Sequence, residues 1–289
     1  MTPPLYIDGL AFWAPTLPSW ALARAALRGD GALLEPPLKR PSPQLLPAAE
    51  RRRAPDTVAL ALEVASAAVA ASGHDPQTLP SVFVSAHGDL AINDHLCSML
   101  ASTPTLISPT KFHNSVHNAA AGYWTMGVGC HEASTALTAF EYSFANGLLM
   151  AATQCAADRR PVLLVGYDVP VVGGMASVTR SEGLLAVALV LAPDKSGHSI
   201  ARLDWSLQAS DAHAAAGSAD ARLPEHLQSA PHARVKSQLH SAAALSLVGN
   251  ALADALPLFE ALARCDGGLP PLALSSRQSL SLRLQYFSD

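Results

Sequence analysis

Val58, Leu62, Ala65 and Val69 recur at helical spacing along residues 56–72, which predicts a helix with one apolar face. Gly73 follows as its C′ stop, a position that favours a left-handed residue. Three short runs, Ser81–Ala86, Pro161–Gly166 and Leu184–Leu191, are apolar without alternation. Such runs fit strands buried on both faces of a mixed sheet. Leu5–Trp13 is another strand-like run, ended by Pro15, and Ser19 is placed to cap a helix beginning near Trp20. Ala133–Phe140 reads as a strand, and Tyr142–Ala157 as a helix apolar all round, hence buried.

The remaining pattern is coarser. A helix is expected after His87-Gly-Asp89 through Met99, and another over Ala119–Val128. Residues 30–50 are rich in Pro and lack periodicity, which predicts a surface loop. Ala201–Leu207 and Leu280–Tyr286 alternate as strands, separated by a polar loop near 209–234 and one helix near 239–263. The βαβαβ alternation predicts an α/β layered fold.

Composition adds limits. The chain has 289 residues, room for one large domain or two small ones, and is 49% hydrophobic with only 15% charged. So little charge fits a surface partly covered by a partner, and equally a chain simply rich in Ala and Pro. A net charge of −4 does not indicate a nucleic-acid-binding surface. The one basic run, Arg51-Arg52-Arg53, reads as a solvated helix start. Cys97, Cys130, Cys155 and Cys265 are scattered without a CxxC pair, so reduced thiols in a cytoplasmic protein are expected, without disulfides or zinc. The N-terminus lacks the basic and apolar regions of a signal peptide, and Gly147–Ala157 is too short to span a bilayer.

Several residues invite chemistry. His113 and His117, four apart, would share a helix face as metal ligands do, but no third ligand is evident and hydrogen bonding is the expected use. Asn114 and Asn118 suit backbone contacts in the same polar segment. Cys130-His131-Glu132 are adjacent, so their side chains do not converge as a dyad. Ser134 and Ser143 lack a G-x-S-x-G elbow, and Asp168 reads as a turn cap at a strand's carboxyl end.

The order of these pieces carries a resemblance. The helix 56–72, the strand 81–86, the Ser-Pro start at Ser108, the run Phe112-His-Asn-Ser-Val-His-Asn-Ala-Ala-Ala-Gly-Tyr-Trp124, the turn at Gly129 and Val165-Gly-Tyr-Asp168 together resemble the N-terminal half of a β-ketoacyl synthase of the thiolase superfamily. Their subgroup looks like the short chain-length factors of aryl polyene and xanthomonadin-type pigment pathways. The resemblance implies a thiolase-like layered α/β/α fold with a truncated C-terminal half: residues 1–195 as the ketosynthase-like half, 196–289 completing the same domain.

In that family a cysteine thiolate sits at the first turn of a buried helix; here Glu141 stands at the assigned position. A carboxylate suits a helix start but is a poor acyl acceptor for condensation. It can be inert in a degenerate pocket, which is favoured, a residual decarboxylase, or a surface group. No His-Gly-Thr motif follows residue 195; His198, His213, His226, His232 and His240 stand in other contexts. The resemblance therefore implies a non-catalytic subunit, without cofactor or metal. It would pair as a heterodimer with a full ketosynthase and meet an acyl carrier protein. The strand 133–140 would cross the dimer. Phe112, Trp124 and Met126 would be candidates for the tunnel wall, although each taken singly reads first as ordinary core, and His113, Asn114, His117, Asn118, Thr135, Leu137 and Phe140 would belong to the same tunnel and interface. The alternative is a stand-alone acyltransferase or thioesterase-like enzyme using Cys130 or a serine.

Overall fold

Two fully buried strands, β4 (Val162–Asp168) and β5 (Leu185–Ala192), form the middle of the sheet in the computed structural model, which describes residues 2–209 and 234–287. Their unbroken apolar runs need cover on both faces, and each fully buried aliphatic side chain contributes about 1.5–3 kcal/mol. Around them lie β1 (Leu5–Trp13), β2 (Ser81–Val84), β3 (Ser134–Leu137), β6 (Ala201–Ala209), β7 (Leu272–Ala273) and β8 (Gln278–Tyr286). The order is β3-β2-β4-β5-β1-β6-β8-β7. The pairs β2–β3 and β2–β4 are parallel, and the others are antiparallel. Strands from both sides of residue 195 thus share one mixed sheet.

Helices cover both faces. On one face α1 (Trp20–Arg28), α7 (Ser143–Asp158) and α9 (Leu256–Arg264) share a core with Val82, Val84, Leu164 and Leu189. On the other, α3 (Asp56–Ser72) and α6 (Ala119–Val128) pack on Phe83, Leu163, Val165 and Val190. Glycines set two close approaches. A Cβ at Gly9 would collide with the Ala68 carbonyl of α3, and one at Gly147 with the Val84 side chain of β2. Three more helices complete the set before these: α2 (Ala48–Arg53), α4 (Leu90–Ser102) and α5 (Pro109–Asn114).

The central elements follow the apolar pattern, and four readings are corrected. The basic triplet Arg51–Arg53 is the last turn of α2, where cations suit the negative end of the helix dipole. The polar segment after Ser108 contains α5, started by Ser108 as N-cap and Pro109 in the first turn. The expected strand 133–140 ends at Leu137, because the chain bends sharply at Phe140. The single helix expected over 239–263 is broken. Short α8 (Ala242–Leu245) ends before Asn250, whose buried amide donates to the carbonyls of Glu182 (3.1 Å) and Gly183 (3.0 Å). Pro257 then sits in the first turn of α9, where a proline is tolerated. No helix among the described residues is long and apolar enough to cross a membrane.

Candidate functional site

β3 is one edge of the sheet, and its backbone has two sides. The carbonyls of Ala133 and Leu137 accept from Ser81 and Ser85 of the β2 segment (2.9 and 3.4 Å). In a ladder of period two, Thr135 faces inward with them, so the N–H and C=O of Ser134 and Ala136 face away from the sheet. An unpaired row of this kind invites another strand unless something blocks it.

The surface beside this edge is poor in charge. Between Thr103 and Phe140 the chain has no Asp, Glu, Lys or Arg except Lys111 and Glu132, and Glu132 is already paired with Arg160 (2.8 Å). α5 packs against α6 through the His113 and Tyr123 rings, 6.0 Å apart, and α6 packs on β3. On these elements Phe112 is 64% and Met126 68% exposed, with Leu106, Val116 and Phe140 also exposed. Exposed apolar side chains in a segment depleted of charge match the composition of an interface core.

After β3 the chain turns abruptly into α7. Phe140 has φ 54°, left-handed for a bulky residue, and opens the 3-10 turn Phe140–Tyr142 that precedes Ser143. Several bonds hold the bend. The Ser143 hydroxyl donates to the Phe140 carbonyl (2.7 Å) and accepts from the Ala139 N–H (3.0 Å), and the Thr138 hydroxyl donates to the Ala86 carbonyl (2.9 Å). Glu141 is half-buried, and desolvation raises its pKa above the usual carboxylate value.

The start of α7 is already occupied. Asp254 reaches it from the C-terminal segment and accepts the Ala145 N–H at 3.1 Å. Its carboxyl is buried, its Oδ1 has no hydrogen-bond partner among the described residues, and desolvation pushes its pKa up to about 7. A second buried acid, Asp168, accepts from the Ser85 hydroxyl (2.8 Å) and the Ala86 N–H (3.0 Å). Desolvation also takes it to about 7, against those hydrogen bonds. Asp168 thus caps the turn after β2, as its place at a strand end suggests. His87, in that turn, meets Thr179 Oγ1 through Nε2 (3.0 Å), and burial lowers its pKa.

The other singled-out residues have individual settings. His113 is exposed at its ring contact with Tyr123, whereas His117 lies beyond α5 and bonds the Ser85 carbonyl through Nε2 (3.0 Å). They do not share a ligand, and no group of three His, Cys, Asp or Glu suited to a metal occurs among the described residues. Asn114 and Trp124 are buried, with Asn114 Oδ1 and Trp124 Nε1 lacking hydrogen-bond partners among the described residues. Asn118 is exposed at the start of α6 and makes no side-chain cap. Thr135 and Leu137 are half-buried on the α7 side of β3.

The alternative nucleophiles are poorly placed. Cys130 is buried with its S–H directed at the Leu79 carbonyl (3.5 Å). Burial pushes the Cys155 thiol up to about 12, and its S–H faces the Leu191 carbonyl. Among the described residues a Ser/His/Asp cluster sits at β1; His74, Ser196 and Ser199 each bond to buried Asp8, and the two serine hydroxyls also meet each other at 3.5 Å, but His74 bonds neither serine. No imidazole therefore stands between carboxylate and hydroxyl, as a serine nucleophile requires. His198 and His240 are exposed, and His213, His226 and His232 lie outside the described residues.

The sequence reading missed Asp254, Asn250 and Asp8. Each acts across more than 60 residues, so no local pattern announces it. The clues available were an acid and an amide inside otherwise apolar runs.

A model of the β-ketoacyl synthase N-terminal domain matches residues 28–248. No curated protein matches the sequence. Among solved structures, the chain is similar to one of the ketosynthase ApeO in complex with its chain length factor ApeC from Xenorhabdus doucetiae. That match has 23% identity and TM-score 0.65, covering 97% of this chain and 99% of that one. The ishigamide ketosynthase/chain length factor aligns at 14% identity and TM-score 0.68, over 99% and 100% of the two chains. A ketosynthase from module 1 of the bacillaene synthase from Bacillus amyloliquefaciens FZB42 aligns at 11% identity and TM-score 0.52, with only 47% of that chain covered. At these identities the likeness establishes a shared fold.

Proposed function

Because the chain belongs to the β-ketoacyl synthase N-terminal-domain family, we propose that it is a non-catalytic ketosynthase-like subunit, a chain length factor. In this reading it pairs in the cytoplasm with an active β-ketoacyl synthase and shapes the tunnel that receives the growing acyl chain. The observation that carries the reading is the outer edge of β3, which pairs with no further strand among the described residues, together with the exposed apolar side chains of Phe112, Met126 and Phe140. The two features divide the work. Outward backbone groups at Ser134 and Ala136 allow only a few new hydrogen bonds, each worth about 0.5–1.5 kcal/mol net. Burying several large apolar side chains at about 1.5–3 kcal/mol each supplies more. The strand fixes register, and the apolar surface supplies affinity.

The chemistry of the α7 start supports the absence of condensing activity. A thiolate nucleophile needs free helix amides to lower its pKa. Here a carboxyl group, Asp254, sits on that helix start, and the preceding turn offers Phe140 and Glu141 instead of a thiol. Glu141 is read as inert. Residues 196–289 are read as a reduced C-terminal portion that completes the same domain. The chain bound in the tunnel would be delivered by an acyl carrier protein, and aryl polyene or related pigment assembly is the pathway class that the sequence resemblance favours.

Co-expression with a ketosynthase of such a pathway tests the proposal. A 1:1 complex that condenses acyl chains, with the isolated chain inactive, supports it. Turnover of acyl thioesters by the isolated chain, abolished by Cys130→Ala, would establish the stand-alone enzyme instead.

A further inference from the structure

Helices α1 and α9 pack against each other and end side by side. Each ends in an arginine, Arg28 and Arg264, where a cation suits the negative end of the helix dipole. Each is followed by a left-handed residue, a common helix stop. For α1 this is Gly29, with φ 90°. For α9 it is Cys265, with φ 56° and its N–H bonded to the Ala261 carbonyl. Cysteine is an uncommon choice there, since non-glycine residues with positive φ are chiefly Asn, Asp and His.

Between the two helix ends lies a pocket of about 300 Å³, lined by Arg28, Asp30, Arg264, Cys265 and Asp266. All five residues are exposed. Two guanidiniums and two carboxylates thus share one pocket with a thiol. None of the four charged side chains forms an ion pair among the described residues. The Tyr286 hydroxyl of β8 donates to the Ala261 carbonyl (3.0 Å) and lies 3.3 Å from the Asp266 carbonyl, which ties the turn after α9 to the sheet. The other thiols have different settings. Cys130 and Cys155 are buried, and Cys97 is exposed on α4, a helix without Arg or Lys.

We infer that this pocket captures a small zwitterionic thiol bearing carboxylates and holds it on Cys265 as a mixed disulfide. Arginine offers carboxylates a fork of paired donors, and Asp30 and Asp266 complement an ammonium group. The step is thiol–disulfide exchange with the ligand's own symmetrical disulfide, which is the oxidant. Cys265 gives its proton to solvent, and its sulfur attacks one sulfur of that disulfide. The old S–S bond breaks as the new one forms, and the second half leaves as a thiolate that takes up a proton. The site adjoins β8, across the sheet from β3, so it does not depend on the pairing proposed above.

The test treats the full chain with glutathione disulfide and follows Cys265 and Cys97 separately by peptide mass spectrometry. Cys265 should be modified at least about tenfold faster than Cys97 at low ionic strength, and the excess should shrink in high salt. Hydroxyethyl disulfide, which carries no charge, should show a much smaller preference. Replacing both arginines, Arg28→Ala with Arg264→Ala, should bring the glutathione disulfide rate at Cys265 down to that at Cys97. Equal rates at the two thiols of the wild-type chain would overturn the inference. So would a preference for Cys265 that is undiminished with the neutral disulfide or in the double variant. If the double variant does not fold, the wild-type comparison of charged and neutral disulfides decides alone.

Discussion

Asp254 and Ala145 are 109 residues apart in the chain and 3.1 Å apart in the fold, carboxylate oxygen to backbone nitrogen. The C-terminal segment thereby closes the start of α7 with a carboxyl group. Where a condensing enzyme needs helix amides free to stabilise a sulfur anion, this fold has a buried acid with one oxygen unpartnered.

That placement has a pH signature. Asp168 and Asp254 both have folded-state pKa values raised from 3.8 to about 7, so the folded chain holds their protons more tightly than the unfolded chain. Their contribution is fully present below about pH 4, declines as pH rises, and is lost above about 7. His87 acts oppositely: its lowered pKa costs stability as pH falls through its unfolded value of 6.5. Two carboxyls outweigh one imidazole, so the urea midpoint should be higher at pH 5 than at pH 8. Asp254→Asn should reduce that difference, since an amide carries no charge to desolvate.

The two sides of β3 predict opposite effects of proline. Ala136 directs its N–H outward, so Ala136→Pro removes a donor only from the free edge, where proline is tolerated. The isolated chain should keep most of its melting temperature while pairing weakens by up to about tenfold. Thr135→Pro removes an inward donor to β2 and should lower the melting temperature of the isolated chain itself. Thermal melting and a binding titration on both variants separate the two effects.

Met126 and Phe112 are exposed in the isolated chain, so charge there costs its fold little. Met126→Glu and Phe112→Glu should each shift its unfolding free energy by less than about 0.5 kcal/mol. Their complexes with a ketosynthase should nonetheless be weakened strongly, because an unpaired charge would be buried. Equal binding by both variants would remove this surface from the interface.

Asp8 is a structural acid rather than part of a catalytic triad. Removing it leaves His74, Ser196 and Ser199 without their shared acceptor. Asp8→Ala should destabilise the chain by about 2–4 kcal/mol in urea unfolding. Subunit pairing should persist at temperatures where the variant remains folded, since the cluster lies on β1 and the free edge is β3.

The central strands β4 and β5 and the helix α3 were legible in the sequence because local apolar patterning and two-sided burial coincide there. The edge strand was legible in part, its expected run to Phe140 being cut off at Leu137 by the bend that follows. What was not legible depends on contacts distant in sequence. The break at Asn250 answers carbonyls at Glu182 and Gly183, and nothing in residues 239–263 alone requires it. The Asp254 cap has the same character. The backbone turn after β3 was hidden for a different reason. A composition of Ala, Phe and Glu does not reveal which residue takes positive φ, and only the folded backbone assigns it to Phe140.

Light scattering on the chain co-purified with a ketosynthase of its pathway class tests the central claim most directly. The account predicts one copy of each subunit, assembled through β3 and weakened by Ala136→Pro. A chain that stays apart from every such ketosynthase at micromolar concentration, alone or as a homodimer, would contradict it.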